Sequence, residues 1–130
     1  MKRTSLVLLA LCCLQMVVAA EDTGWVSQRG LFVVHYLPEL DPLTINTLHA
    51  WQLHVENASG EAVPGAKIAV TGGMPIHNHG LPTQPRVTTE LGGGDYRLDG
   101  LRFHMAGPWE ITLSITANGE TDTVVIALTL

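Results

Sequence analysis

The chain has 130 residues, 46% of them hydrophobic and 15% charged, with a formal net charge of −5 at pH 7. Seven Lys and Arg stand against twelve Asp and Glu, and no basic stripe exists, which excludes a nucleic-acid partner and disfavours an anionic membrane surface. A cation or a basic protein suits this field better.

Residues 1–20 read as a secretory signal. Lys2 and Arg3 form a positive start, Leu6 to Val18 an apolar run, and Val18-Ala19-Ala20 a small-residue site that predicts cleavage before Glu21. A membrane anchor is the rival reading, but the apolar run is shorter than the roughly 20 residues a span needs. The expectation is export to the periplasm or the medium, with no stable membrane insertion after cleavage. Both cysteines, Cys12 and Cys13, leave with the signal, so the domain over 21–130 is expected to fold without disulfide or thiolate. Losing Lys2 and Arg3 leaves five basic residues against twelve acidic ones, a formal charge of −7.

Along the remaining chain the hydrophobic period is two. Ile45 to Val55 places Ile45, Thr47, His49, Trp51, Leu53 and Val55 on one side. A turn follows over Asn57–Gly65, then Ala66, Ile68 and Val70 alternate with Lys67, Ala69 and Thr71. Gly92-Gly93-Gly94-Asp95 turns the chain into Tyr96 and Leu98. Trp109, Ile111, Leu113 and Ile115 form another apolar face, and Val124, Ile126, Leu128 and Leu130 close the chain. Asn118-Gly119 between the last two runs is a strong hairpin signal, because both residues accept positive φ. It predicts pairing of Trp109–Ala117 with Thr121–Thr129. No stretch carries a helical period. Half-buried strands with such turns predict one all-β domain, an immunoglobulin-like antiparallel β-sandwich of about seven strands.

The long irregular segment, Gly72 to Arg86, holds three prolines, and a loop of that length in a compact domain is usually functional. It contains Met74-Pro75-Ile76-His77-Asn78-His79-Gly80. His77 and His79, two apart on extended backbone, point the same way and can chelate one ion, with Met74 three residues earlier as a thioether. Imidazole suits copper, zinc and nickel, and thioether adds a preference for Cu(I). The other methionine of the domain, Met105, follows His104, so either can complete the set. On a regular strand Met105 would share the core face of Phe103 and His104 would point away. The competing reading is an immunoglobulin-like structural or interaction module, with Met74 filling a gap beneath the loop. His49 is expected at the edge of the core, and His35 and His54 on the surface. There is no Gly-x-Ser-x-Gly elbow, cysteine nucleophile or phosphate-cradling loop, so no catalytic residue is assigned and no enzyme is expected. A zinc hydrolase would need a carboxylate beside the histidines, and none stands near them in sequence.

Gly65-Ala66-x-Ile68-x-Val70-x-Gly72-x-Met74-Pro75-x-His77-x-His79-Gly80 resembles the YtkA-like domain, found also in FixH-related proteins. The runs His49-x-Trp51-x-Leu53 and Gly94-x-Tyr96-x-x-x-Gly100-Leu101-x-Phe103-x-Met105-x-Gly107-x-Trp109 fit the same family. The likeness spans about Leu31 to Leu113. It implies an exported or membrane-tethered β-sandwich connected with copper handling and assembly of copper oxidases. Its motif residues here are Met74, His77, His79 and Met105, and the implied partners are copper and a copper-donating or copper-receiving protein. FixH-related members keep a membrane helix, whereas this chain is expected to lose its only hydrophobic segment.

Overall fold

The computed structural model describes residues 24–130; the expected signal lies outside the described residues. Among them no helix is long and apolar enough to cross a membrane.

The domain is all-β. In chain order its strands are β1 (Trp25–Val26), β2 (Phe32–Pro38), β3 (His49–Asn57), β4 (Lys67–Met74), β5 (His79–Gly80), β6 (Arg86–Gly92), β7 (Asp95–Leu101), β8 (Pro108–Ala117) and β9 (Glu120–Thr129). A 3-10 turn, Pro75–His77, joins β4 to β5. All pairings are antiparallel, in one sheet ordered β1-β2-β3-β7-β6 and another ordered β5-β4-β8-β9. Without the two-residue strands β1 and β5, seven strands remain, ordered β2-β3-β7-β6 against β4-β8-β9. That is the A-B-E-D and C-F-G arrangement of a constant-type immunoglobulin sandwich.

Period-two patterning supplies the inner faces. Trp51, Leu53 and Val55 of β3 are fully buried against Ile111, Leu113 and Ile115 of β8 and Val124 and Ile126 of β9. Tyr96 and Leu98 of β7 complete the layer. Each such side chain stabilises the fold by about 1.5–3 kcal/mol relative to exposure. The β8–β9 hairpin forms at the expected place: Ala117 pairs with Glu120, while Asn118 and Gly119 take φ of 53° and 79°. Gly92, Gly93 and Gly94, all at positive φ, turn β6 into β7.

Three local readings change. The strand expected from Ile45 begins at His49, because Asn46 adopts φ 60° and donates its N–H to Phe103 O at 2.7 Å, leaving Ile45 and Leu48 exposed. Regular β4 extends through Gly72 and Gly73 to Met74, so the irregular segment starts later than expected. Residues 102–107 are not a strand, so Met105 is exposed while Phe103 is buried. Strands β1 and β2 were not foreseen. They are tied to β9 by Asp122, which accepts hydrogen bonds from Ser27 Oγ at 2.6 Å and from the backbone N–H groups of Arg29 and Leu31 at 2.9 and 3.3 Å.

Candidate functional site

The Met/His loop is built on tight backbone pairing. β5 folds back on β4 with Met74 opposite His79 and Gly73 opposite Gly80. Pro75 opens the 3-10 turn, and Asn78 ends it at φ 51°, its N–H reaching Pro75 O at 3.2 Å. Gly73 is required here, since a Cβ would fall on the His79 carbonyl oxygen.

Directly opposed residues of an antiparallel pair share one face, with Cβ atoms about 4.5–5.5 Å apart. Met74 and His79 are such a pair. Met74 is fully buried, and its Cε lies 2.9 Å from where a Cβ on Gly107 would stand. The methionine therefore reaches beneath the segment that carries His104 and Met105. That segment is fixed at two points: Trp109 Nε1 donates to Met105 O at 2.9 Å, and Gly107 and Leu130 exchange backbone hydrogen bonds of 2.7 and 3.1 Å.

Three imidazoles line up from solvent inward. The exposed His77 ring is stacked on His79 at 5.9 Å with 11° between planes, and His79 meets His104 at 5.0 Å. Trp109 walls them in with edge contacts of 5.7 Å to His79 and 5.5 Å to His104. His79 Nδ1 lies 3.1 Å from Gly80 O. A carbonyl can only accept, so Nδ1 carries the hydrogen, and in the neutral ring Nε2 then keeps the lone pair. That Nε2 is buried without a hydrogen-bond partner, and so is His104 Nδ1. A buried polar nitrogen left unsatisfied costs about 1–3 kcal/mol, and these two sit on neighbouring rings tilted by 46°; His49 Nε2, Trp51 Nε1 and Arg102 Nε are likewise unpartnered.

The expected residues thus separate. Met74, His77, His79 and His104 gather at one end of the sandwich, while Met105 contributes its backbone carbonyl and turns its side chain outward at 38% exposure. His104 joins the histidines because its segment is not a strand. Trp109, read from sequence as core alone, also forms the aromatic wall. Glu110, also missed, lines an open cleft of about 360 Å³ with Gly73, Met74, His79 and Gly80. His49 sits at the core edge, 8% exposed, with Nδ1 3.1 Å from Thr47 O and its ring 5.6 Å from Phe103. Among the described residues no group of three or more His, Cys, Asp or Glu side chains is placed to hold a metal ion. The His79 and His104 rings lie side by side at this end of the sandwich, and Met74 is the cross-strand neighbour of His79.

No individual curated protein and no solved structure matches the chain. The YtkA-like family model matches residues 39–114, which run from the end of β2 through the Met/His loop, His104 and Trp109 into β8. The chain belongs to the YtkA-like family.

Proposed function

We propose that the protein binds one copper ion as cargo, as Cu(I), in the periplasm or outside the cell, and holds or passes it on without catalysing a reaction. The observation that carries this reading is the pair of buried, unpartnered nitrogens, His79 Nε2 and His104 Nδ1, on rings 5.0 Å apart. Two imidazoles with a thioether suit a soft, low-coordinate cation better than zinc, which takes four ligands at a structural site. The Gly80 carbonyl orients His79, as a backbone acceptor commonly does for a metal-ligating histidine. Met74 supplies sulfur from below, and exposed His77 receives or releases the ion on the solvent side. Met105, on the exposed rim, is a further thioether for transfer to a copper-donating or copper-receiving protein.

The test is a Cu(I) competition titration against a chelating probe, with the full chain carrying Cys12→Ser and Cys13→Ser so that thiolates do not contribute. One ion per chain is expected, with affinity reduced at least about tenfold in His79→Ala/His104→Ala, the scale seen when metal-site partners are removed. Equal affinity in the double variant would sink the reading. Met74→Leu is the informative methionine change, because it removes sulfur while nearly keeping volume.

A second reading, an immunoglobulin-like interaction module, draws on a different observation. Ile76 is 70% exposed beside a cleft of about 360 Å³ lined by Pro75, Pro108, Trp109 and Leu128. Loss of copper binding in every assay, with partner capture abolished by Ile76→Glu, would favour it.

A further inference from the structure

The last strand, β9, ends the four-stranded sheet and pairs with β8 on one side. Leu130 exchanges hydrogen bonds with Gly107 on the β8 side, whereas Thr123 O accepts the Gln28 N–H at 2.9 Å on the opposite side. Backbone groups alternate in direction along a strand, so the even-numbered residues of β9 face β8 and the odd-numbered ones face outward. Two of the outward residues are covered: Thr123 by Gln28, and Thr121, whose carbonyl takes the Arg29 guanidinium at 3.2 Å. Val125, Ala127 and Thr129 have no outward backbone partner among the described residues.

Natural edge strands carry charges, prolines or bulges that stop a further strand from adding. β6, at the edge of the other sheet, has Arg86, Glu90 and register shifts against β7. From Val124 to Leu130 the β9 edge has no charged residue and no proline, and its register with β8 is unbroken. The open stretch from Val125 to Thr129 is about 14 Å long at 3.4 Å per residue. It runs beside the cleft of about 360 Å³ that holds Ile76 and Trp109, because Ala127, Leu128 and Thr129 line that cleft too. Glu110 lies opposite Ala127 on β8 and joins the same lining. It is exposed and makes no ion pair among the described residues.

We infer that the edge from Val125 to Thr129 takes up an extended peptide of a partner protein as an added strand, with a Lys or Arg facing Ala127 and apolar residues beside it. Strand addition gives affinity through main-chain hydrogen bonds and specificity through pockets for alternate side chains. Each outward residue of β9 can exchange hydrogen bonds with the peptide residue opposite it. Ala127 and Glu110 share one face, and strands lie about 4.8 Å apart, so a residue opposite Ala127 stands about 10 Å from Glu110. A long basic side chain crosses the small Ala127 methyl to meet that carboxylate, and its apolar neighbours fill the cleft. A second copy is the poorer occupant, since the stretch offers no basic residue and a net charge of −5 repels its like. The inference rests on the interaction reading of this cleft, to which it adds backbone pairing and the partner's chemistry, and it holds with or without copper in the loop.

The test is amide NMR of the full chain titrated with the acetylated peptide Val-Thr-Val-Lys-Val-Thr-Val. Shifted signals and slowed hydrogen exchange are expected at the Val125, Ala127 and Thr129 amides. N-methylation of the lysine and threonine nitrogens, which face β9 in this register, should abolish binding, whereas N-methylation of the valine nitrogens should leave it. Ala127→Pro removes an outward N–H that β8 does not use, a change an edge strand tolerates. It should weaken binding roughly tenfold, the scale of one or two backbone hydrogen bonds, with the amide fingerprint of the other strands intact. Glu110→Gln should erase the preference for this peptide over one with glutamine in place of lysine. Equal binding of the two N-methylated peptides would keep the cleft as a side-chain site, and with it the interaction reading, but would overturn strand addition. Unmoved signals at the three amides, or a dimer paired through them without peptide, would overturn the inference as well.

Discussion

Gly107 shows how narrowly single positions are set. At φ 122°, with the Met74 methyl where its Cβ would be, it is a glycine for both conformational and steric reasons. Gly107→Ala is expected to cost about 1–3 kcal/mol, the range for strained backbone, read as a lower urea midpoint. Met74→Ala is expected to cost about 2–5 kcal/mol by opening a cavity in the core, whereas Met74→Leu should stay below about 1.5 kcal/mol. Asp122 sets the acid response. Burial pushes its carboxyl up, but hydrogen bonds from Ser27, Thr123, Leu31 and Arg29 outweigh that and hold it below the ordinary value. A folded value below the unfolded one stabilises the protein fully above the unfolded pKa, about 3.9. That stabilisation fades as pH falls further toward the folded value. Melting temperatures followed from neutral pH into the acid range should therefore drop at the acid end, with a shallower drop in Asp122→Asn, whose neutral-pH stability is already lower.

At the level of elements, the β4–β5 return decides where His79 stands. Gly73→Ala would drive a methyl into the His79 carbonyl and lift β5 from β4. The expected result is faster hydrogen exchange at the Gly73, Leu81 and neighbouring amides and, on the copper reading proposed above, weaker Cu(I) binding, although every imidazole remains. Gly119→Ala, in the far hairpin at φ 79°, should instead cost about 1–2 kcal/mol and leave binding alone. The strands with one apolar face, and the Asn118-Gly119 turn between two of them, were legible in sequence because period and turn chemistry are local. So was the association of Met74, His77 and His79, which lie within six residues. What sequence did not yield depends on distant pairing. His35 and His54 looked like isolated surface residues, since Glu56 reaches His35 and Asp95 reaches His54 only through cross-strand register; the same-strand contact of His54 with Glu56, two residues on, was readable and was missed. Met105 and His104 were assigned to alternating faces of a strand that does not form. The start of β3 was misplaced because a long-range hydrogen bond from Asn46 to Phe103 outweighs the local alternation.

Across the whole molecule, stability comes from one core shared by two sheets, supplemented by Asp122 where β1 and β2 meet β9. Both cysteines precede the described residues, so a reducing agent should leave the melting temperature unchanged. A difference would reveal cross-linking between chains. One arrangement also gives the molecule an optical reporter. Trp109 is fully enclosed, donates its indole N–H to Met105 O, and touches both His79 and His104 edge-on. On the copper reading its fluorescence would respond to an ion on those rings, while Trp51, stacked 4.3 Å from Tyr36 within the other sheet, and Trp25 would supply the background. Emission quenched on loading and restored on transfer would let the passage of an ion be timed in solution without any attached dye.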